Sequence, residues 1–290
     1  MIVLISAIAL TNLRISYPKV LLRTSFQNFM TTVRFEASAD LPCLFDAHCH
    51  LQYNMEKSQN FLSKHRNHRF AIMGTRPADW NDVLSLEANY SGQIQGGLGL
   101  HPWFAHNPED DRWLDRLRSY LVSNRQMIVG EIGLDRLWKP PETRKNELDA
   151  QHEVFLAQLH LATELRRPVS LHCVKSDGIM LSILKDQIEL PPALYFHSYG
   201  GSIDTARCLY NMKKYGDRMY FGFSTAVNMR SPKTSSVIAS LPSNRILLES
   251  DLEAPENIIN HLDSMLNMIA TSKGWTHSQT IEITTRNALQ

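Results

Sequence analysis

Two histidines two residues apart, His48 and His50, lie in Phe45-Asp46-Ala47-His48-Cys49-His50-Leu51, a run with β-strand character. Side chains alternate along a strand, so the two imidazoles face one way and Cys49 the other. Such a pair is ready to bind a metal, although in a chain of 12 histidines two hydrogen-bonded strand residues would read the same. Similar residues recur downstream. His101 stands in Gly97-Leu98-Gly99-Leu100-His101-Pro102-Trp103, and Glu131 in Val129-Gly130-Glu131-Ile132-Gly133-Leu134-Asp135. His172 stands in Ser170-Leu171-His172-Cys173, His197 in Tyr195-Phe196-His197-Ser198, and Asp251 in Leu247-Leu248-Glu249-Ser250-Asp251. Taken singly, a strand histidine is more often hydrogen-bonded structure than a ligand. A carboxylate in an apolar strand is rarer, because once buried it needs a cation or several donors. His65, His68, His106, His261 and His277 lie in polar contexts, and His152 and His160 on a helical stretch; these read as structural or solvated.

What could bring such residues together is a regular rhythm of elements. Apolar, β-rich runs at 44–51, 69–74, 96–100, 127–134, 169–174, 193–197, 219–224 and 246–251 give eight candidate strands. Amphipathic stretches separate them, the clearest at 147–165, where Leu148, His152, Phe155, Leu159 and Ala162 recur at helical spacing. Shorter ones fall at 111–122 and 202–214, and helices are expected at 255–270 and 278–289, Pro255 suiting a first turn. Strands alternating with helices imply parallel pairing with right-handed crossovers, and at this length an α/β fold, a single (β/α)8 TIM barrel. The competing open doubly wound sheet lacks support, since no Gly-rich phosphate loop follows the first strand. In a barrel the carboxyl ends of all strands share one face, where active sites sit. The fold would then gather His48, His50, Glu131, His172, His197 and Asp251 into one ring, with His101 beside it.

Composition bounds the rest. A chain of 290 residues, 43% hydrophobic and 20% charged, is ordinary for a globular protein. A net charge of +1 argues against coating nucleic acid through bulk charge, and leaves open a grip on one phosphate through metal ions. The four cysteines, Cys43, Cys49, Cys173 and Cys208, lack metal-type spacing and read as free thiols of a reducing compartment. Residues 1–40 read as an amino-terminal extension and 41–290 as the domain. Met1 to Leu10 is apolar but far short of the roughly 20 residues that span a bilayer, so no membrane partner is expected. From Thr11 to Arg34 there are Arg14, Lys19, Arg23 and Arg34 and no acidic residue before Glu36, the composition of a mitochondrial or plastid presequence. A disordered extension, or a start upstream of a true beginning at Met30, would read alike; a cytoplasmic or nuclear protein is expected, or an organellar one if the extension is real.

The stretches Asp46-Ala47-His48-Cys49-His50-Leu51, Gly99-Leu100-His101-Pro102, Gly130-Glu131-Ile132-Gly133-Leu134-Asp135, Pro168-Val169-Ser170-Leu171-His172, Phe196-His197-Ser198-Tyr199-Gly200-Gly201 and Glu249-Ser250-Asp251 resemble the TatD-related deoxyribonucleases, metal-dependent hydrolases of the amidohydrolase-like group. Gln151-His152-Glu153-Val154-Phe155 with Gln158-Leu159 is similar to that family's helix before strand 5. The resemblance implies two divalent ions, one held by His48, His50, Glu131 and Asp251, the other by Glu131, His172 and His197. Zn, Mn, Co or Fe suits such N/O ligands, Mg less well. It implies hydrolysis of a phosphodiester in DNA or nucleotides, possible trimming of single strands from the 3′ end, Asp251 as the catalytic proton acceptor and His101 as a contact to phosphate or leaving oxygen, against a structural loop role. A monomer is expected. Trp103, Phe104, Trp138 and Tyr199 could stack bases or simply pack the loops, and Arg136, Lys139 and Lys175 could meet phosphates.

The chain departs from the family pattern in several places. Cys173-Val174-Lys175 stands where a short polar pair with arginine is common, Ser250 where threonine is usual, and Ser198-Tyr199-Gly200-Gly201 where a Phe-Ser-Gly-like turn occurs. Leu252-Glu253-Ala254-Pro255 carries an extra acidic residue. Two further function classes stay open: an ester or amide hydrolase such as a D-aminoacyl-tRNA deacylase, and a weakly active protein-binding barrel. Glutamate rather than a carboxylated lysine at the bridging position favours the TatD branch.

Overall fold

A computed structural model describes residues 43–290; the expected extension at 1–40 lies outside the described residues. Eight strands pair in parallel in the order β1-β2-β3-β4-β5-β6-β7-β8. They are β1 (Phe45–Cys49), β2 (Arg69–Met73), β3 (Ile94–Leu98), β4 (Ile128–Asp135), β5 (Val169–Val174), β6 (Leu194–Phe196), β7 (Met219–Phe223) and β8 (Ile246–Leu248). Helices alternate with them: α1 (Met55–Lys64), α2 (Trp80–Asn89), α3 (Trp113–Ser123), α4 (Leu148–Leu165), α5 (Asp177–Asp186), α6 (Ile203–Tyr210), α7 (Thr225–Asn228), α8 (Thr234–Ser240), α9 (Ile258–Lys273) and α10 (His277–Ala288). The expected barrel is present, and each expected strand coincides with an observed one. Pro255 opens a 3-10 turn ahead of α9, and a Thr276–Gln279 capping box starts α10.

Two apolar layers hold the barrel. Outward side chains such as Cys49, Ile72, Leu98, Val129, Leu171 and Phe221 pack with helix residues including Trp80, Leu117, Phe155, Leu159 and Leu262 in one core. Phe45, Ala47, Ala71, Met73, Tyr195 and Leu247 come from β1, β2, β6 and β8, and meet inside the barrel below the strand ends. No ladder joins β8 to β1. That seam is closed by Asp251 N–H donating to the His48 carbonyl (2.9 Å), His50 N–H donating to the Leu252 carbonyl (2.9 Å), and the Asp46 carboxylate accepting from Ser250 N–H (2.9 Å) and Oγ–H (2.5 Å). The backbone on both sides of the site is therefore fixed by the contacts that close the fold.

Register shifts interrupt β1 between Asp46 and Cys49, and β4 between Val129 and Ile132. An irregularity of this kind re-aims side chains. Phe45 and Ala47 belong to the inner cluster whereas Cys49 belongs to the outer one, so His48 and His50 turn inward beyond the break. Gly133 lets β4 run on against β5: its φ is +150°, and a Cβ there would lie 1.9 Å from the His172 carbonyl oxygen.

From outside, α4 reaches the strand ends with two buried glutamines seven residues apart, hence on one helix face. Gln158 accepts from Leu100 N–H (2.7 Å) and donates to the Leu100 carbonyl (3.0 Å). Gln151 does the same for Asp135 (2.8 and 3.1 Å). The backbone leading to His101 and the end of β4 is held in this way.

Candidate metal centre

Glu131, 2% exposed, divides its two oxygens between two sets of imidazoles. Oε2 lies 3.3 Å from His48 Nε2 and 3.4 Å from His50 Nε2. Oε1 lies 2.7 Å from His172 Nδ1, 2.7 Å from His197 Nε2 and 3.2 Å from His101 Nε2. Asp251 Oδ1 lies 3.7 Å from His50 Nε2, and the His48 and His197 rings stack at 4.0 Å. All six expected ligand positions and His101 thus meet at the carboxyl ends of the strands. Among the described residues, three groups have donor atoms within 4.8 Å of one another: His48, Glu131 and His197; His48, His50 and Asp251; and His101, Glu131 and His172.

The donor set fits divalent ions. Tetrahedral ligands at about 2.0–2.2 Å from an ion stand about 3.3–3.6 Å apart, the range spanned by His48 Nε2, His50 Nε2 (3.3 Å apart) and Glu131 Oε2. The far nitrogens of three of the four ligand rings are engaged elsewhere, which fixes which lone pair faces the centre, while His197 Nδ1 is buried without a partner. His50 Nδ1–H donates to the Met73 carbonyl (3.0 Å), and His172 Nε2–H to Asp135 Oδ2 (3.4 Å). His48 Nδ1 meets Ser170 Oγ at 2.9 Å. His101 is held differently: its Nδ1 accepts the Trp103 backbone N–H (3.2 Å), so its proton sits on Nε2 and points at Glu131. In that tautomer His101 is a donor, buried beside Glu131 and His172.

Charge follows from the same contacts. Burial opposes ionisation of Glu131, but His197, His101 and His48 outweigh it and hold the carboxyl well below its usual range. Burial likewise works against charge on His50 and His172. The Glu131 carboxylate with Asp251 for His50, and the Asp135 and Glu131 carboxylates for His172, raise both to about 9. Burial wins at His48 and His101, which fall to about 4.

Several supporting residues carried no assigned role in the sequence reading. Asp135 accepts from Trp103 Nε1–H (2.8 Å) as well as from His172, and burial of its carboxyl is outweighed by these bonds, leaving it at about 2. Ser198 Oγ lies 2.9 Å from Asp251 Oδ2, 2.8 Å from Glu249 Oε1 and 2.7 Å from Ser224 Oγ. Glu249 is fully buried, hydrogen-bonded to Tyr195 Oη and Ser198 N–H, and raised well above the carboxylate range by burial and by Asp251. Even spacing held the signal: Asp135 is four residues past Glu131 and Glu249 two before Asp251, so each shares its partner's side. Of the aromatic candidates, Trp103 is 39% exposed, Phe104 and Trp138 are half-buried, and Tyr199 packs in the outer core against Phe196 and Phe221. Arg136, Lys139 and Lys175 are exposed. No helix among the described residues is long and apolar enough to cross a membrane.

Comparison with known proteins gives the chain's relatives and its family. The Cut9-interacting protein scn1 of Schizosaccharomyces pombe is 24% identical, over 82% of this chain and 95% of that protein. The human deoxyribonuclease TATDN3 is 24% identical, over 85% of this chain and 93% of that protein. The crystal structure of the Escherichia coli TatD homolog YJJV superposes with a TM-score of 0.71 at 23% identity, covering 85% of this chain and 97% of that one, a likeness of fold. The family model for TatD related DNase matches residues 45–290, every strand and every candidate ligand included, and the chain therefore belongs to the TatD-related DNase family.

Proposed function

We propose that this chain is a metal-dependent phosphodiesterase, a deoxyribonuclease that works with two divalent ions and trims single-stranded DNA from its 3′ end. His48, His50, Glu131 and Asp251 would hold one ion, and Glu131, His172 and His197 the other. The observation that carries this reading is the division of Glu131, one oxygen toward His48 and His50 and the other toward His172 and His197. A carboxylate so placed can bridge two cations and set its charge against both. The name of the human relative, a deoxyribonuclease, supports the choice of bond.

Bound ions would supply Lewis acidity at the phosphate and ease the loss of a proton from water. The protein's own groups do the rest. Ser198 holds Asp251 Oδ2 and leaves Oδ1 facing the centre, where it can orient the attacking water and take its proton. His101 Nε2–H, aimed at Glu131 Oε1, would be shared with a phosphate or leaving oxygen bound beside that carboxylate. The buried walls around Glu131 keep bulk water from competing for these groups.

The test is metal analysis of the purified protein, with two equivalents expected, followed by assay of the Mn- and Zn-loaded forms on 3′-labelled single-stranded DNA, mischarged tRNA and small amides. Release of mononucleotides supports the proposal; turnover of only the other substrates overturns it. Asp251→Asn should abolish hydrolysis with the fold intact, and a folded variant of full activity would remove Asp251 from its role. The fission yeast relative, named for an interaction with Cut9, favours a second reading, a barrel that binds protein with little turnover. The complete donor set around Glu131 weighs against that reading, and the same DNA assay decides it.

A further inference from the structure

Among the described residues, the exposed tyrosine, tryptophan and phenylalanine side chains are Tyr53 (42%) and Trp103 (39%), and both stand at the candidate centre. Each lies on a 3-10 turn that begins directly behind one of its histidines: Leu51–Asn54 after His50, and Pro102–Phe104 after His101. A continuous line of contacts links them. The Tyr53 ring is 5.9 Å from the His50 ring, His50 and His101 both touch Glu131 (3.4 and 3.2 Å), and the His101 ring is 4.8 Å from that of Trp103.

Both rings are held at their polar edges. Tyr53 Oη bonds Thr75 Oγ1 (2.6 Å), and Trp103 Nε1–H donates to Asp135 while the indole stacks on Trp138 at 4.6 Å. Thr75 also takes the His101 backbone N–H on its carbonyl (2.8 Å), so one residue after β2 ties both turns together. Between the two rings in the order of the rim comes Arg76, whose guanidinium lies over Phe104 (4.9 Å) and pairs with Glu109 (3.3 Å) at the surface. Such an exposed pair holds its cation loosely and leaves it able to meet a phosphate. Behind Tyr53 a hollow of about 200 Å³, lined by Asn54, Lys57, Glu253 and Glu256 among others, has two carboxylates against one lysine and so suits a base better than a phosphate.

Exposed, pre-positioned aromatic faces beside a cation are the elements by which proteins hold single strands without reading sequence. We propose that Tyr53 and Trp103 are stacking walls for the two nucleobases that flank the phosphodiester being cut, with Arg76 meeting the backbone on the same rim. This rests on the phosphodiesterase reading and assigns the substrate's grip to the β1–β4 side of the mouth. Sequence inspection had named Trp103; Tyr53 becomes visible only through its exposure and its place against His50.

The experiment uses single-stranded DNA with an abasic residue at the 3′-terminal or the penultimate position, offered to the Mn-loaded wild type and to Tyr53→Leu and Trp103→Leu. For the wild type, each missing base should lower kcat/KM about 5- to 150-fold, the range for one base–aromatic stack. Each leucine variant should lose that dependence at one of the two positions and keep it at the other. The ratio of intact to abasic strand within one variant cancels any effect of Trp103→Leu on Asp135. Tyr53→Phe and Trp103→Phe, which keep a ring, should restore base dependence. A parallel arm measures binding of the same strands, fluorescently labelled, to metal-free protein by anisotropy, where the same pattern should appear in Kd without cleavage. Equal cleavage of intact and abasic strands by the wild type overturns the stacking walls and spares the phosphodiesterase reading; so does base dependence kept at both positions in both leucine variants. Base-dependent binding that the variants lose, in a protein that cuts no DNA, sustains the walls and overturns the phosphodiesterase.

Discussion

Replacing Asp135 by asparagine tests whether the centre depends on residues that touch no ion. The Asp135 carboxylate accepts four donors: Leu137 N–H and Trp138 N–H on Oδ1 (2.9 and 3.0 Å), Trp103 Nε1–H and His172 Nε2–H on Oδ2 (2.8 and 3.4 Å). An amide has one accepting oxygen. If that oxygen serves the two backbone groups, its NH2 confronts the indole and the imidazole, donor against donor. His172 can keep a bond only by moving its proton to Nδ1, which lies 2.7 Å from Glu131 Oε1. That nitrogen then donates to Glu131 and has no lone pair to offer an ion. Loss of such support costs about 10–100-fold in metal affinity, or about 1.4–2.8 kcal/mol, comparable with one charge-assisted hydrogen bond at about 1.5–3 kcal/mol. Competition against a chromogenic chelator should show one equivalent bound as in wild type and a second weakened by that factor. Circular dichroism should be unchanged, and activity should recover at high metal concentration. Two equivalents bound with wild-type affinity would refute the reasoning, because His172 would then need no partner to choose its tautomer.

The remaining expectations concern the support beneath the site and its occupancy. Glu249 is kept neutral by burial beside Asp251, so Glu249→Gln should stay within about 1 kcal/mol of wild-type stability, whereas Glu249→Ala strands Ser198 N–H and the Tyr195 hydroxyl and opens a cavity, costing about 2–4 kcal/mol by denaturant unfolding. Gly133→Ala should destabilise by about 3 kcal/mol or more in the same measurement, since its Cβ would lie 1.9 Å from the His172 carbonyl. In the metal-free protein His50 and His172 keep their protons up to about pH 9, so protons compete with an incoming ion: apparent affinity should rise with pH toward that value and fall below it, and a titration giving pH-independent affinity would contradict this.

The barrel was legible because parallel strands buried on both faces read as apolar runs, and all eight observed strands fall on or beside such runs. Several helices were not. The helices α1, α2, α5 and α8 run for only 10, 10, 10 and 7 residues, against 18 in α4, and so repeat the helical period too few times to stand out. The candidate ligands were legible because histidine and buried carboxylate are chemically conspicuous. Their supports are ordinary polar residues whose meaning lies in distant partners: Ser170 holds His48 from 122 residues away, and Gln158 grips Leu100 from 58.

Strand alternation was the rule used to aim His48 and His50, and it holds only locally. Val129 and Glu131, two residues apart, would share a face in an unbroken strand, yet Val129 packs in the outer core while Glu131 sits inside at the centre. The register shift between Val129 and Ile132 turns Glu131 inward, and the shift between Asp46 and Cys49 does the same for the histidine pair. Regular strands alone would build the barrel and aim the bridging carboxylate out of it. The breaks in β1 and β4 are what convert a packed interior into a site, and they fall at the residues on which the proposed chemistry depends.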